Sequence, residues 1–247
     1  MLNIPFEPII FEKTLNIHLI LEYLAFFLAF RYYVYLRKKQ KDIITSNNRL
    51  SIILGATIGA FLGSRLVGFL EFPYIEEFTL KLVINLMNTK TIMGGLFGGL
   101  LGVELVKKII GEKKSSGDLF TFPIILGIFI GRIGCFLSGT NEFTYGSKTT
   151  FFTGMNLGDG ILRHPIALYE LLFLVLLVVR LKSIQKRKKL QNGTLYKYFM
   201  LFYFSFRFLI EFIKPNTFFV IGLSSIQILC LLCILYYYKT IYSLLKK

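Results

Sequence analysis

Apolar residues along this chain fall in seven blocks, at about 15–36, 50–70, 91–110, 119–139, 165–181, 196–213 and 217–238. Each is close to the roughly 20 residues that a helix needs to cross the hydrocarbon layer of a bilayer. A helix satisfies its backbone hydrogen bonds within the segment, as lipid demands. The ten-residue alternation of a membrane barrel is absent. The pattern predicts an all-α polytopic membrane protein, with seven transmembrane helices in a single integral membrane domain over 1–247. The stretch 73–88 is too short, and too charged at Glu76 and Glu77, to cross. It reads as an amphipathic helix on the membrane surface, and 140–164 reads as an external loop.

Polar residues between the blocks set the orientation. Basic residues crowd alternate connections: Arg37, Lys38, Lys39, Lys41 and Arg49 in one, then Lys107, Lys108, Lys113 and Lys114. Arg180, Lys182, Lys186, Arg187, Lys188 and Lys189 fill a third, and the chain ends in Lys246 and Lys247. The intervening connections hold few, among them Lys81, Lys148 and Arg163. The positive-inside rule then predicts an external N-terminus and a cytoplasmic C-terminus. Residues 1–13 lack a basic stretch followed by a cleavage site, so the first span is expected to double as the insertion signal.

Composition agrees. Hydrophobic residues make up 54% and mean hydropathy is +0.62, more than a soluble domain of this length needs. A net charge of +15 would suggest nucleic acid in a soluble protein. Here the basic clusters abut apolar blocks, where they meet anionic lipid, and nucleic acid is excluded as a partner. Cys135, Cys230 and Cys233 lie inside apolar blocks at a spacing that fits neither a metal site nor a disulfide framework. Glycines at four-residue spacing (Gly55, Gly59, Gly63; Gly94, Gly98, Gly102; Gly127, Gly131) predict close approach of helices. The pair Gly94–Gly95 can also widen a cavity.

Ionisable residues inside spans are costly and point to function. With this orientation His18, Glu22, Arg65, Arg132, Arg207 and Glu211 all lie in the outer half of their spans, and Tyr169 and Glu170 begin the fifth. Tyr203, Arg207 and Glu211 are four apart and share one helical face. Arg207 and Glu211 also fit a plain ion pair. Arginine binds phosphate through a planar two-pronged fork and keeps its charge in low dielectric. Several guanidinium groups at headgroup depth therefore suit an anionic phospholipid better than an ion pathway.

The run Gly131-Arg132-Ile133-Gly134-Cys135-Phe136-Leu137-Ser138-Gly139, followed by Glu142 and Tyr145-Gly146, resembles the signature of the prolipoprotein diacylglyceryl transferase family. Further pieces match in chain order: Gly63-Ser64-Arg65-Leu66, Gly94-Gly95-Leu96, Arg163-His164-Pro165 with Tyr169-Glu170, and Tyr203 with Arg207 and Glu211-Phe212. The resemblance implies transfer of diacylglycerol from phosphatidylglycerol to the cysteine thiol of a lipobox-containing preprotein, at the outer face of the bacterial cytoplasmic (inner) membrane. It assigns phosphate binding and leaving-group stabilisation to Arg132 and Arg207. Substrate contacts fall to Arg65, Gly94, Gly95, Gly146, His164, Tyr169, Tyr203 and Glu211. No cofactor or metal is expected. Departures mark a divergent member: Met93 stands where the family has a histidine, Cys135 and Ser138 replace asparagines, and Lys214 replaces an arginine. Thr140 and Asn141 are extra residues before Glu142. A base for the acceptor thiol must then come from His18, Glu22, Glu142 or His164, although His18 can equally cap the first span. A protein that binds or translocates anionic lipid without the chemistry is the alternative.

Overall fold

The computed structural model describes every residue except 1–3, 11–12, 41, 72–83, 85, 88, 188–189, 217–218, 220–221 and 247. Among these residues the helices are α1 (Ile17–Gln40), α2 (Ser46–Glu71), α3 (Ile92–Ile109), α4 (Asp118–Ser138), α5 (Ile166–Arg187), α6 (Thr194–Ile210), α7 (Ser225–Tyr236) and α8 (Tyr238–Leu245). Six of the expected spans coincide with α1 to α6 within a few residues. The seventh, expected over 217–238, agrees at its end but not at its start: α7 begins at Ser225 and closes at Tyr237, whose N–H bonds the Cys233 and Ile234 carbonyls at 3.2 Å. The expected surface segment 73–88 lies outside the described residues apart from Ile84, Leu86 and Met87.

Among the described residues α1, α2 and α4 with its 3-10 extension to Asn141 are long and apolar enough to cross a membrane. Glu104, Lys107 and Lys108 interrupt α3, and Glu170, Arg180 and Lys182 interrupt α5. The outward surfaces carry the same message. On α2 the exposed stripe is Leu50, Leu54, Ile58, Phe61, Leu62 and Leu66, and on α5 it is Leu172, Val175, Leu176 and Val179. Both follow helical periodicity, with the apolar face turned away from the protein, as lipid requires. The chain is a helical membrane protein.

Two compact units make up the chain. The first contains Met1–Lys41, Gly117–Phe199 and Ile213–Pro215. In it α1 packs on α4, and α4 on α5. Small residues permit the first contact, since a Cβ added at Gly127 would sit 3.4 Å from Ala29 Cβ. Towards the other end Tyr33 stacks on Phe120, ring centres 4.5 Å apart. Asp118 accepts hydrogen bonds from the N–H groups of Gly193 (2.6 Å) and Tyr196 (3.0 Å), satisfying orphan donors where α6 begins. Two short antiparallel ladders complete the unit: β1 (Ile9–Ile10) with β2 (Lys13–Thr14), and β3 (Met155–Asn156) with β4 (Leu162–Arg163).

The second unit contains Asp42–Ser116, Met200–Phe212 and Asn216–Lys247. Its centre is the α2–α3 contact, where Gly55, Gly59 and Gly63 face Gly102, Gly98 and Gly94 in register. An added Cβ at Gly59 would stand 2.3 Å from the Gly98 carbonyl oxygen. Backbones this close exclude any side chain. Arg49, counted above among the loop cations, is buried. Its Nε donates to Asp42 at 2.7 Å and its Nη1 to the Ser116 carbonyl at 3.1 Å, tying the ends of the segment together. Ser224 and Gln227 form a reciprocal capping box that starts α7.

Candidate functional site

Arg132 is buried on α4, and its Nε lies 2.9 Å from the Glu170 carboxylate on the first turns of α5. Glu170 is wholly buried. Three residues along the same face of α4, the Cys135 thiol lies 3.6 Å from Arg132 Nη1. That thiol also interacts with His18 on the first turn of α1. Gly134 makes the meeting possible: a Cβ there would press to 3.3 Å on the Cα and Nδ1 of His18. A guanidinium and an imidazole from different helices thus both reach one sulfur.

Two carboxylates also approach His18. Its Nε2 is 4.0 Å from Glu22 and 4.0 Å from Glu142. Neither distance is a hydrogen bond, but at this range a carboxylate attracts an imidazole that has taken up a proton. Glu22 gets there by its i+4 place on α1. Glu142 gets there through the extra residues noted above, since Gly139–Asn141 form a 3-10 turn. Thr140 N–H bonds the Leu157 carbonyl at 3.0 Å, and Asn141 Nδ2 bonds Glu7 at 2.6 Å, which seats the turn. A small cavity, walled by Cys135, Gly139, Tyr145, Leu157 and Ile166, lies beside the thiol.

Gly146, His164 and Tyr169 gather where the preceding loop enters α5. Gly146 N–H bonds the His164 carbonyl at 2.9 Å, and a Cβ at Gly146 would come within 2.5 Å of His164 Cβ. His164 Nδ1 lies 3.1 Å from the Tyr169 hydroxyl, which also bonds Thr153 Oγ1. Arg163 reaches back to Asp159 at 2.7 Å and lies over the Tyr145 ring. The Arg163 hydrogen bond holds the Asp159 carboxyl below the usual carboxylate range. Lys214, in place of the family's arginine, lies over the Phe143 ring at 5.2 Å.

The remaining candidates belong to the second unit. Tyr203, Arg207 and Glu211 share the buried face of α6 and the 3-10 turn after it. Arg207 and Glu211 form the i,i+4 ion pair anticipated above, and Asn216 Nδ2 donates to the same carboxylate. Arg65 Nη1 donates to the Thr89 carbonyl at 2.8 Å, just before α3, and its guanidinium lies 5.4 Å from the Phe61 ring centre. Gly94 serves close packing, since its Cβ would sit 2.3 Å from the Gly63 carbonyl oxygen. Gly95 makes only ordinary contacts, with Ala60 and Ser64 at 3.7 Å.

Sequence reasoning left Cys135, Glu170, Thr153 and Asn216 out of the candidate set. Glu170 carried a usable signal, as a carboxylate within a span one turn inside a proline-started helix. Cys135 carried none, because the histidine beside it is 117 positions away.

Comparison with known proteins is consistent along the chain. A family model described as prolipoprotein diacylglyceryl transferase matches residues 8–242. A phosphatidylglycerol–prolipoprotein diacylglyceryl transferase of Ehrlichia ruminantium is 33% identical over 196 residues, 74% of this chain and 73% of its own. Its namesake from the Wolbachia of Brugia malayi is 30% identical over 200 residues, 76% of this chain and 73% of its own. That of Finegoldia magna is 27% identical over 213 residues, covering 83% and 82%. This chain belongs to the prolipoprotein diacylglyceryl transferase family.

Proposed function

We propose that this protein is a seven-span transferase with its N-terminus outside, acting at the outer face of a bacterial cytoplasmic membrane. It moves the diacylglyceryl group of phosphatidylglycerol onto the cysteine thiol of a lipobox-containing preprotein. The observation that carries the reading is the meeting of Arg132 and His18 at Cys135. It puts a fixed cation for a phosphate ester next to a proton acceptor that two carboxylates face.

In the transfer the acceptor thiol gives its proton to His18. Its sulfur forms a bond to the glycerol carbon that carries the phosphate. The carbon–oxygen bond breaks, and glycerol phosphate leaves with the electron pair. Charge grows on the departing phosphate oxygen, where Arg132, held in place by Glu170, opposes it; fixed donors of this kind make large contributions to rate. Glu22 and Glu142 stabilise the imidazolium that results, a positioning role for each. Arg207, by the motif it matches, is a second phosphate-binding candidate. Arg65, Gly94, Gly95, Gly146, His164, Tyr169, Tyr203 and Glu211 are the proposed substrate contacts.

One observation supports a second reading. Met93, where the family has histidine, is buried and takes up no proton. A protein that kept the arginines for anionic lipid and lost the transfer fits it. Purified protein given labelled phosphatidylglycerol and a lipobox peptide separates the two. The transferase yields a thioether product by mass spectrometry, absent with Arg132→Ala and with Arg207→Ala. Lipid retained by a folded preparation that yields no thioether selects the second reading.

A further inference from the structure

Between β3 and the helical part of the loop that precedes it, residues 149–154 turn back on themselves. Phe151 N–H bonds Thr149 Oγ1 at 3.1 Å, and Gly154 N–H bonds the Phe151 carbonyl at 2.8 Å. At the tip the rings of Phe151 and Phe152 lie together, centres 4.5 Å apart. Phe152 is 87% exposed and Phe151 55%.

The turn is firmly held. Thr149 N–H bonds the Leu162 carbonyl at 2.9 Å, Lys148 bridges to Arg163, and Phe151 lies 6.4 Å from the His164 ring. Thr153, next to Phe152, bonds the Tyr169 hydroxyl on the first turn of α5. This last contact fixes a height. Tyr169 precedes Leu172, where the exposed apolar stripe of α5 begins, by three residues, a rise of about 4.5 Å. The tip is therefore held within about one helical turn of the level at which acyl chains meet α5. Aromatic side chains of membrane proteins concentrate at that level. Exposed Lys148 at the base of the turn adds a cation suited to anionic headgroups.

We propose that Phe151 and Phe152 insert into the interfacial layer of the surrounding bilayer and fix the height of the hairpin that carries Arg163 and His164. The occupant is lipid, because the contact of Thr153 with Tyr169 ties the tip to the turn of α5 that precedes its exposed apolar stripe. The inference rests on the chain being a membrane protein, and it is independent of whether transfer occurs.

The chain contains no tryptophan, so Phe152→Trp gives a single indole that reports its own surroundings. The variant is placed in vesicles of phosphatidylcholine and phosphatidylglycerol, with acyl chains either plain or brominated near the headgroup. Insertion predicts loss of more than about half the emission on changing to brominated lipid, as for an interfacial aromatic, with little response to aqueous iodide. An indole quenched by iodide and not by bromine lies in water and overturns the proposal. One quenched by neither is covered by protein, a second copy or a bound peptide, and overturns it equally. Phe151→Trp repeats the reading if the first variant does not fold.

Discussion

Arg132 Nε lies 2.9 Å from Glu170 Oε1, and the pair joins α4 to α5 with both side chains buried. Such a pair contributes little net stability over an apolar one, because both charges lose water. Its consequence is orientation. Glu170 takes the Nε edge of the guanidinium while Nη1 points to Cys135, next to His18.

Removing one partner should therefore harm the protein in two separable ways. Glu170→Ala leaves an uncompensated cation and should lower stability by about 3–5 kcal/mol. Replacing both residues, Arg132→Met with Glu170→Leu, should restore much of that loss while leaving no activity. Thermal unfolding in detergent and the initial rate of thioether formation measure the two effects. Arg132→Lys keeps the charge but not the fork, and its rate should fall by about 10²–10³. A lysine variant with the full rate would remove the fork from the mechanism.

For His18 the expectation concerns proton transfer. A positioned general base contributes about 10²–10⁴ in rate, so His18→Ala should lose on that order. The wild-type rate should fall on acidification, as solvent protonates the base, and this acid limb should be missing from the residual activity of the variant. Glu22→Gln and Glu142→Gln each remove a carboxylate 4.0 Å from His18 and should each lower the rate by less than His18→Ala does. A limb that survives in His18→Ala assigns the base elsewhere.

The elements were legible because lipid imposes a simple rule on sequence: long apolar runs mean helices. That rule located α1 to α6. It began the last span at 217, eight residues before α7, because Phe218 to Leu223 are as apolar in sequence as the helix that starts after the Ser224 cap. Within the site, contacts along one helix could be read, as with His18 and Glu22 or Arg207 and Glu211. Contacts across helices could not. Cys135 meets His18 only because Gly134 lets α1 approach. Likewise, Thr140 and Asn141 looked like a disruption of a motif, yet they form the turn that carries Glu142 to His18.

Glycine substitutions in α3 should separate packing from tolerance. An alanine at Gly98 puts its Cβ 2.3 Å from the Gly59 carbonyl oxygen, and backbone on both sides cannot give way cheaply. Overpacking of this kind costs about 1–3 kcal/mol or more, so Gly98→Ala should lower the unfolding temperature clearly. Gly99→Ala, with neighbours at 3.4–3.5 Å, and Gly95→Ala, at 3.7 Å, should be close to wild type. Alanine is the better helix former, so equal losses at all three positions could not come from propensity and would mean that close approach to α2 does not decide which glycines tolerate a side chain.

The Asp159–Arg163 pair makes a pH-dependent prediction outside the spans. Arg163 and the Ile161 N–H both bond the Asp159 carboxylate, which holds its pKa below the usual carboxylate range. With a depressed folded value, the open loop binds the proton first as pH falls. The stabilisation is thus present above the ordinary aspartate value of about 3.9 and is lost as pH drops through the lower folded value. Asp159 is exposed, so solvent screens the pair and the effect should be local. Hydrogen exchange of the 155–163 segment, corrected for intrinsic rates, should show protection falling from near-neutral to strongly acidic pH. Asp159→Asn keeps an oxygen acceptor for Ile161 but carries no charge, so its protection should hold steady across that range. The same fall in both proteins would mean that Arg163 owes its position to Tyr145 and the strand pairing instead.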